Sequence, residues 1–202
     1  MPLSDRDYMR SSPPPERRIR RSGNFDFGMN PVIVLIITNI VLYLAVSFSG
    51  KGLYPYGQYQ PVSTDRFTYY LGLIPYYFST RPWTLVTSMF IHSGFAHIFS
   101  NMIALFFFGT FLNRLIGSGR FLLVYFVGGI VGNILYLLLN LHGLSLVVVA
   151  SGAIYAIAGT MVVMVPKLPV RLYFLIPIPL WIFVIVFLGL LSAPPFAATN
   201  IA

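Results

Sequence analysis

The sequence predicts an all-α protein, a polytopic bundle of transmembrane helices with five spans. Hydrophobic residues make up 57% of the 202 residues and charged residues only 9%, whereas soluble domains carry about 25% charged residues. No carboxylate follows Asp65, and the rest of the chain consists largely of apolar stretches long enough to cross a bilayer. We therefore expect an integral, multi-pass membrane protein whose surroundings are the lipid bilayer.

Residues 1–30 are predicted to form a basic, disordered cytoplasmic tail because they are polar and rich in arginine and proline. The net charge of +8 would suit nucleic-acid binding. However, basic residues that flank apolar spans are explained by membrane orientation, so no nucleic-acid partner is expected. Two later loops are also basic, and they would share the cytoplasmic side with the tail. Their basic residues are Arg114, Arg120, Lys167 and Arg171.

Residues 31–202 are predicted to form the membrane domain. Its expected spans are about 31–48, 84–115, 121–141, 144–165 and 172–191. Pro31 suits the first turn of a helix. The loop 49–83 is rich in tyrosine and ends in Trp83, and such rings settle where membrane meets water. Part of this loop should therefore lie in the outer interface.

The composition excludes several kinds of catalytic site. The chain has no cysteine, so neither a thiolate nucleophile nor a cysteine metal site is possible. The lack of carboxylates after Asp65 excludes an intramembrane carboxylate dyad and a His-Glu-x-x-His zinc site. We expect neither a metal nor a cofactor.

The polar residues of the second span form the first candidate cluster. His97 and Asn101 are four residues apart and share one helix face, with His92 just before them. An imidazole and a carboxamide that project together can donate hydrogen bonds to a developing oxyanion. The alternative is hydrogen bonding between helices, which polar residues in spans commonly provide. The cluster alone favours that alternative.

The second candidate cluster surrounds Ser151 in the fourth span. Small residues, including Gly152, follow it, and Tyr155 lies one turn further on the same helix face. Ser151 is a possible nucleophile if a base lies within reach. Close packing of small residues against another helix is the alternative, and it too leads when the cluster is taken alone.

Together these motifs resemble the rhomboid family of intramembrane serine proteases, over roughly residue 31 to the end of the chain. Three segments carry the resemblance: Arg81-Pro82-Trp83-Thr84 leading into Thr87-Ser88-Met89-Phe90-Ile91-His92; His92-x4-His97-x3-Asn101; and Ala150-Ser151-Gly152-Ala153-Ile154-Tyr155. The resemblance implies a rhomboid-like bundle of six spans, five of them present, with its active site facing outward. It also implies cleavage of transmembrane protein substrates by a serine–histidine dyad.

The resemblance further implies a role for each matching residue. Ser151 would be the nucleophile, and Asn101, His97 and the Ser151 backbone N–H would form the oxyanion hole. Tyr155 would stack on the catalytic imidazole. The loop with Arg81 and Trp83 would lie beside the route of the substrate.

Two departures from the family pattern stand out. Val149 occupies a position that is usually glycine. The family's catalytic histidine comes from the sixth span, in a segment that begins much like Thr199-Asn200-Ile201-Ala202. We therefore expect a C-terminally truncated copy that is inactive alone, since His142 is the remaining histidine on the correct side and has no evident partner to hold it. The alternative is a non-catalytic rhomboid-like module that binds transmembrane helices.

Overall fold

The computed structural model of the chain describes residues 30–56, 59–140, 151–172 and 176–192. Several sequence predictions concern residues outside these ranges. They are the tail before Asn30, His142, Val149 and the segment 199–202.

The first helix, α1 (Pro31–Phe48), has 18 residues. The side chain of Asn30 accepts a hydrogen bond from the Val32 N–H at 3.0 Å, which caps the helix start. One face of α1, with Val32 and Leu35, is buried in the core, while Val41 on the opposite side is exposed. Such an apolar outer face is suited to lipid.

The loop after α1 is ordered rather than irregular. Its strands β1 (Lys51–Tyr56) and β2 (Tyr59–Asp65) pair antiparallel. They lead into α2 (Arg66–Leu71), which is followed by a 3₁₀ helix at Pro75–Thr80. The Asp65 carboxylate accepts a hydrogen bond from the Thr68 N–H at 2.7 Å and caps α2.

The predicted span 84–115 is not one helix. A short helix, α3 (Thr84–Thr87), and a 3₁₀ turn (Ser88–Phe90) come first. The backbone is then extended at Ile91 and Gly94, and the long helix begins at Phe95. It consists of α4 (Phe95–Ala104), a π-helical stretch (Leu105–Gly109) and α5 (Thr110–Ile116).

Two further helices follow the turn at Gly117: α6 (Ser118–Leu139) and α7 (Ser151–Met164). Next come two short antiparallel strands, β3 (Pro169–Leu172) and β4 (Ile176–Pro179), and then α8 (Leu180–Ser192). In the described part of the last predicted span, 172–191, the helix begins at Leu180, because Pro177 and Pro179 lack the N–H that a helix interior requires. The all-α prediction holds for the bundle, to which the two hairpins are additions.

The described helices α1, α4 with α5, α6, α7 and α8 share one apolar core. Its members include Val32 of α1, Phe121 of α6, Ile157 of α7 and Leu180 of α8. Among the described residues, three helices have the length and composition to cross a membrane: Pro31–Phe48, Phe95–Ile116 and Ser118–Leu139. The chain is therefore a helical membrane protein.

Helices α6 and α7 approach each other closely. A methyl group added at Gly128 would lie only 2.1 Å from the Cβ of Ala156. One turn further along α6, a methyl group at Gly132 would lie 3.4 Å from the Cα of Gly152. Small residues thus let the two helix backbones pack closely, as is common in membranes.

A polar contact fixes α6 against the segment before α4. The side chain of Asn133, which is fully buried, donates hydrogen bonds to the Leu85 carbonyl at 2.7 Å and to the Ser88 hydroxyl at 2.9 Å. The segment that leads into α4 is therefore held at two points by one side chain.

Candidate active site

The candidate site begins with α4, on which His97 and Asn101 lie one turn apart. The side chain of His97 is 6% exposed and that of Asn101 is fully buried. The sequence predicted that the two share a helix face, and both are directed into the bundle rather than towards its surface. The extended backbone at Gly94 starts the helix immediately before them.

Two neighbours define the surroundings of the His97 ring. The ring of His92 packs edge-on against it, with 5.2 Å between ring centroids. On the other side, the Ser93 hydroxyl oxygen lies 3.1 Å from His97 Nδ1. His92 therefore belongs to the same cluster as His97, and Ser93 joins it.

The Asn101 side chain differs from most buried amides. Within the described part of the chain, neither its Oδ1 nor its Nδ2 has a hydrogen-bond partner. Buried polar groups are nearly always paired, so an unpaired amide is a candidate for binding a polar group of a ligand. Its Nδ2 supplies N–H donors.

The second half of the candidate site is on α7. Ser151 is the first residue of α7 that the structure describes, and Ser151, Gly152 and Tyr155 are all partly exposed. Helix α4 contacts α7, so the helices that carry the two predicted clusters are neighbours. The close α6–α7 contact at Gly152 fixes the first turn of α7.

Arg81 and Trp83 lie in the loop, where both contact its tyrosines. The Arg81 guanidinium stacks over the rings of Tyr69, Tyr70 and Tyr77 at 4.4, 5.0 and 4.6 Å from their centroids. It also donates to the Tyr69 carbonyl at 2.9 Å. Trp83 Nε1 donates to the Tyr70 carbonyl at 3.1 Å, while the indole remains 49% exposed.

Two polar residues were missed by sequence reasoning. Ser93 is four residues before His97 but lies ahead of α4, so helical spacing alone does not place its hydroxyl at the His97 ring. Asn133 is the second residue. Its partners Leu85 and Ser88 are 48 and 45 residues away, and no local pattern indicates such a contact.

Comparison with known proteins decides the family. Residues 79–200, more than half of the chain, match the Rhomboid domain. The chain belongs to the rhomboid family.

Individual rhomboid relatives agree with this assignment. YdcA of Bacillus subtilis is 42% identical over 84 residues, which cover 41% of each chain. The rhomboid protease GluP of the same organism is 39% identical over 79 residues, 39% of this chain and 15% of GluP. The mitochondrial RHOMBOID-like protein 12 of Arabidopsis thaliana is 34% identical over 131 residues, 55% of this chain and 38% of the relative. The chain thus matches about two fifths or less of the length of these relatives.

Proposed function

We propose that this rhomboid chain carries the nucleophile and the oxyanion site of an intramembrane serine endopeptidase. The observation that supports this most is the fully buried Asn101, whose amide has no partner among the described residues. It lies one turn from His97 on α4, and α4 contacts the helix that carries Ser151. Polar groups at membrane depth are costly, and they are functional candidates for that reason.

The proposed chemistry is acyl transfer to Ser151. Its Oγ attacks the carbonyl carbon of the scissile peptide bond while the hydroxyl proton passes to a general base. The carbonyl oxygen becomes negative and accepts hydrogen bonds from Asn101 Nδ2–H, a ring N–H of His97 and the Ser151 backbone N–H. The intermediate then expels the amine, which takes the proton from the base, and water hydrolyses the acyl-enzyme by the same route.

The general base is a separate part of this proposal. His97 is assigned to the oxyanion and has its Nδ1 beside Ser93, and His92 packs its ring against His97. Neither is therefore assigned as the base of Ser151. The third histidine, His142, lies outside the described residues, and the sequence offers no evident partner to hold it. A serine hydroxyl without a base is a poor nucleophile, so we expect residues 1–202 by themselves to cleave little.

The proposed substrates are transmembrane proteins, cleaved on the outer side of a membrane with the N-terminus of this chain in the cytoplasm. The tyrosine-rich loop supports a position of the site at a membrane interface, and the outward orientation is part of the proposal. Tyr70, Tyr76 and Trp83 are each more than two fifths exposed, and aromatic rings of this kind favour the membrane interface. Such a loop would meet a substrate helix as its end leaves the bilayer.

The test is cleavage of a single-span test substrate in proteoliposomes by residues 1–202 and, if the natural protein extends beyond them, by the longer protein side by side. We expect Ser151→Ala to abolish cleavage and Asn101→Ala to lower kcat by about 10²- to 10³-fold, as for loss of an oxyanion donor. Asn140→Ala is the matched control, because among the described residues that amide donates to the Tyr136 carbonyl, within its own helix end.

Cleavage that survives Ser151→Ala would refute the assigned nucleophile. Ready cleavage by residues 1–202 would refute the statement about the base. If the protein instead retains a transmembrane partner without cutting it, and Ser151→Ala leaves that retention unchanged, the non-catalytic helix-binding alternative replaces the protease.

A further inference from the structure

The contact between Ser93 and His97 has a chemical consequence for the oxyanion site. Ser93 immediately precedes Gly94, where α4 starts, and its side chain is exposed. Its hydroxyl oxygen lies 3.1 Å from Nδ1 of the buried His97 ring. An exposed serine just before α4 thus contacts Nδ1 of a buried imidazole in the first turn of that helix.

The charge state of His97 determines what this contact does. The ring is only 6% exposed, its ring neighbour is a second imidazole, His92, and the sequence has no carboxylate after Asp65. A buried imidazolium without an anionic partner is costly, so the working form is the neutral ring. A neutral imidazole has one nitrogen that donates and one that accepts.

Two arrangements of the neutral ring are compatible with a distance of 3.1 Å. In the first, the Ser93 hydroxyl donates to Nδ1, and the ring hydrogen is on Nε2. In the second, Nδ1–H donates to the Ser93 oxygen, and Nε2 is a bare acceptor whose lone pair would repel an oxyanion. Only the first arrangement leaves a ring N–H for the substrate, because Nδ1 is already engaged with Ser93.

We propose that Ser93 is a positioning residue that donates its hydroxyl hydrogen to Nδ1 of His97 and so holds the ring hydrogen on Nε2, the donor to the oxyanion. This inference rests on the proposed function of His97. Ser93 itself touches neither the substrate nor the reacting atoms. It acts by fixing the tautomer and the orientation of the ring, as the hydrogen bond at one ring nitrogen generally does.

The first test measures the tautomer without any substrate. The protein is labelled with ¹⁵N in its histidine rings and studied by NMR in detergent micelles. The His92 and His142 signals are identified by their disappearance in His92→Gln and His142→Gln, and the signals that remain in both variants belong to His97. We expect the unaltered protein to carry the His97 ring hydrogen on Nε2. Ser93→Ala should give a mixture of tautomers, while Ser93→Thr, which keeps the hydroxyl, should restore the original spectrum.

The matched control is Ser100→Ala. The Ser100 hydroxyl also bonds to His97, but to its backbone carbonyl at 3.0 Å rather than to the ring. Ser100→Ala should therefore leave the His97 tautomer unchanged. A ring hydrogen on Nδ1 in the unaltered protein, or an identical spectrum in Ser93→Ala, would overturn the inference.

The second test is kinetic and uses the full-length protein. Ser93→Ala should lower kcat by about 2- to 10-fold, the range expected for one net hydrogen bond, with KM unchanged and with rescue by Ser93→Thr. Unchanged kcat in Ser93→Ala would refute the positioning role even if the tautomer is as expected. If no variant cleaves at all, the proposed function fails, and the NMR spectra still decide the tautomer independently.

Discussion

The contact between Gly128 of α6 and Ala156 of α7 makes the sharpest stability prediction. A methyl group at Gly128 would lie 2.1 Å from the Ala156 Cβ, whereas carbon atoms in good contact are about 3.5–4.0 Å apart. In Gly128→Ala the two helices must therefore separate by roughly 1.5 Å. Overpacking of this kind costs about 1–3 kcal/mol of folding free energy.

The same displacement should also reach the candidate site. Ala156 lies five residues after Ser151 on one helix, so moving α7 moves the proposed nucleophile relative to α4. A misplacement of about 1 Å at a reacting group can cost about 10²-fold in rate. We expect Gly128→Ala to lose more activity than its loss of folded population explains.

Two other glycines provide controls for this prediction. A methyl group at Gly132 would make ordinary contact at 3.4 Å with Gly152, and one at Gly159 would meet nothing within 4 Å. Gly132→Ala should change stability little. Gly159→Ala should be neutral or stabilising by up to about 1 kcal/mol, since alanine favours a helix.

A compensating change tests the stated cause. Ala156→Gly removes the methyl group that clashes, and the next neighbour of the Gly128→Ala methyl would be the Ala156 Cα at 3.6 Å. The double variant should therefore be more stable than the sum of the single changes predicts. The measurement is denaturant unfolding in detergent for all four members of the cycle. Equal stability of Gly128→Ala and Gly159→Ala would refute the close contact.

Further predictions concern Asn133 and the loop. Asn133→Leu should lower the free energy of unfolding by about 1–2 kcal/mol, because it leaves the Leu85 carbonyl and the Ser88 hydroxyl without their donor; detergent unfolding measures it. Arg81→Lys should speed cleavage of the loop by chymotrypsin, because an ammonium cannot stack on rings as a planar guanidinium does. Burial raises the pKa of the Tyr69 phenol above its usual 10.0, although Arg81 opposes the shift. The contribution of the protonated Tyr69 to loop stability should therefore be intact below pH 10 and be lost as the pH rises through its raised pKa. In an ultraviolet titration, the phenolate signal that appears last should shrink in Tyr69→Phe.

The membrane bundle and the shared face of His97 and Asn101 could be predicted from the sequence because both depend on short-range patterns. Long apolar stretches specify spans, and a separation of four residues places two side chains together on any helix. The structure has both side chains buried on α4. Neither inference required knowledge of distant contacts.

The break before α4 could not be predicted in the same way. Hydropathy is insensitive to whether an apolar stretch is helical throughout, and Ser93-Gly94 is only a weak local signal of an interruption. The path of this segment depends instead on the bonds from Asn133 to Leu85 and Ser88. Contacts over such sequence distances arise from tertiary packing, which overrides local preference.

Three buried asparagines allow the structural and the catalytic interpretations of Asn101 to be compared within one protein. Asn39, Asn101 and Asn133 are all fully buried. Asn39 Nδ2 donates to the Leu35 carbonyl at 2.7 Å, and Asn133 Nδ2 donates to two partners. Both are what the structural interpretation expects, since a buried donor normally finds an acceptor. In the described part of the chain, Asn101 Nδ2 has none. Because an oxyanion site requires a donor that the folded protein has not already used, this difference supports the catalytic role of Asn101.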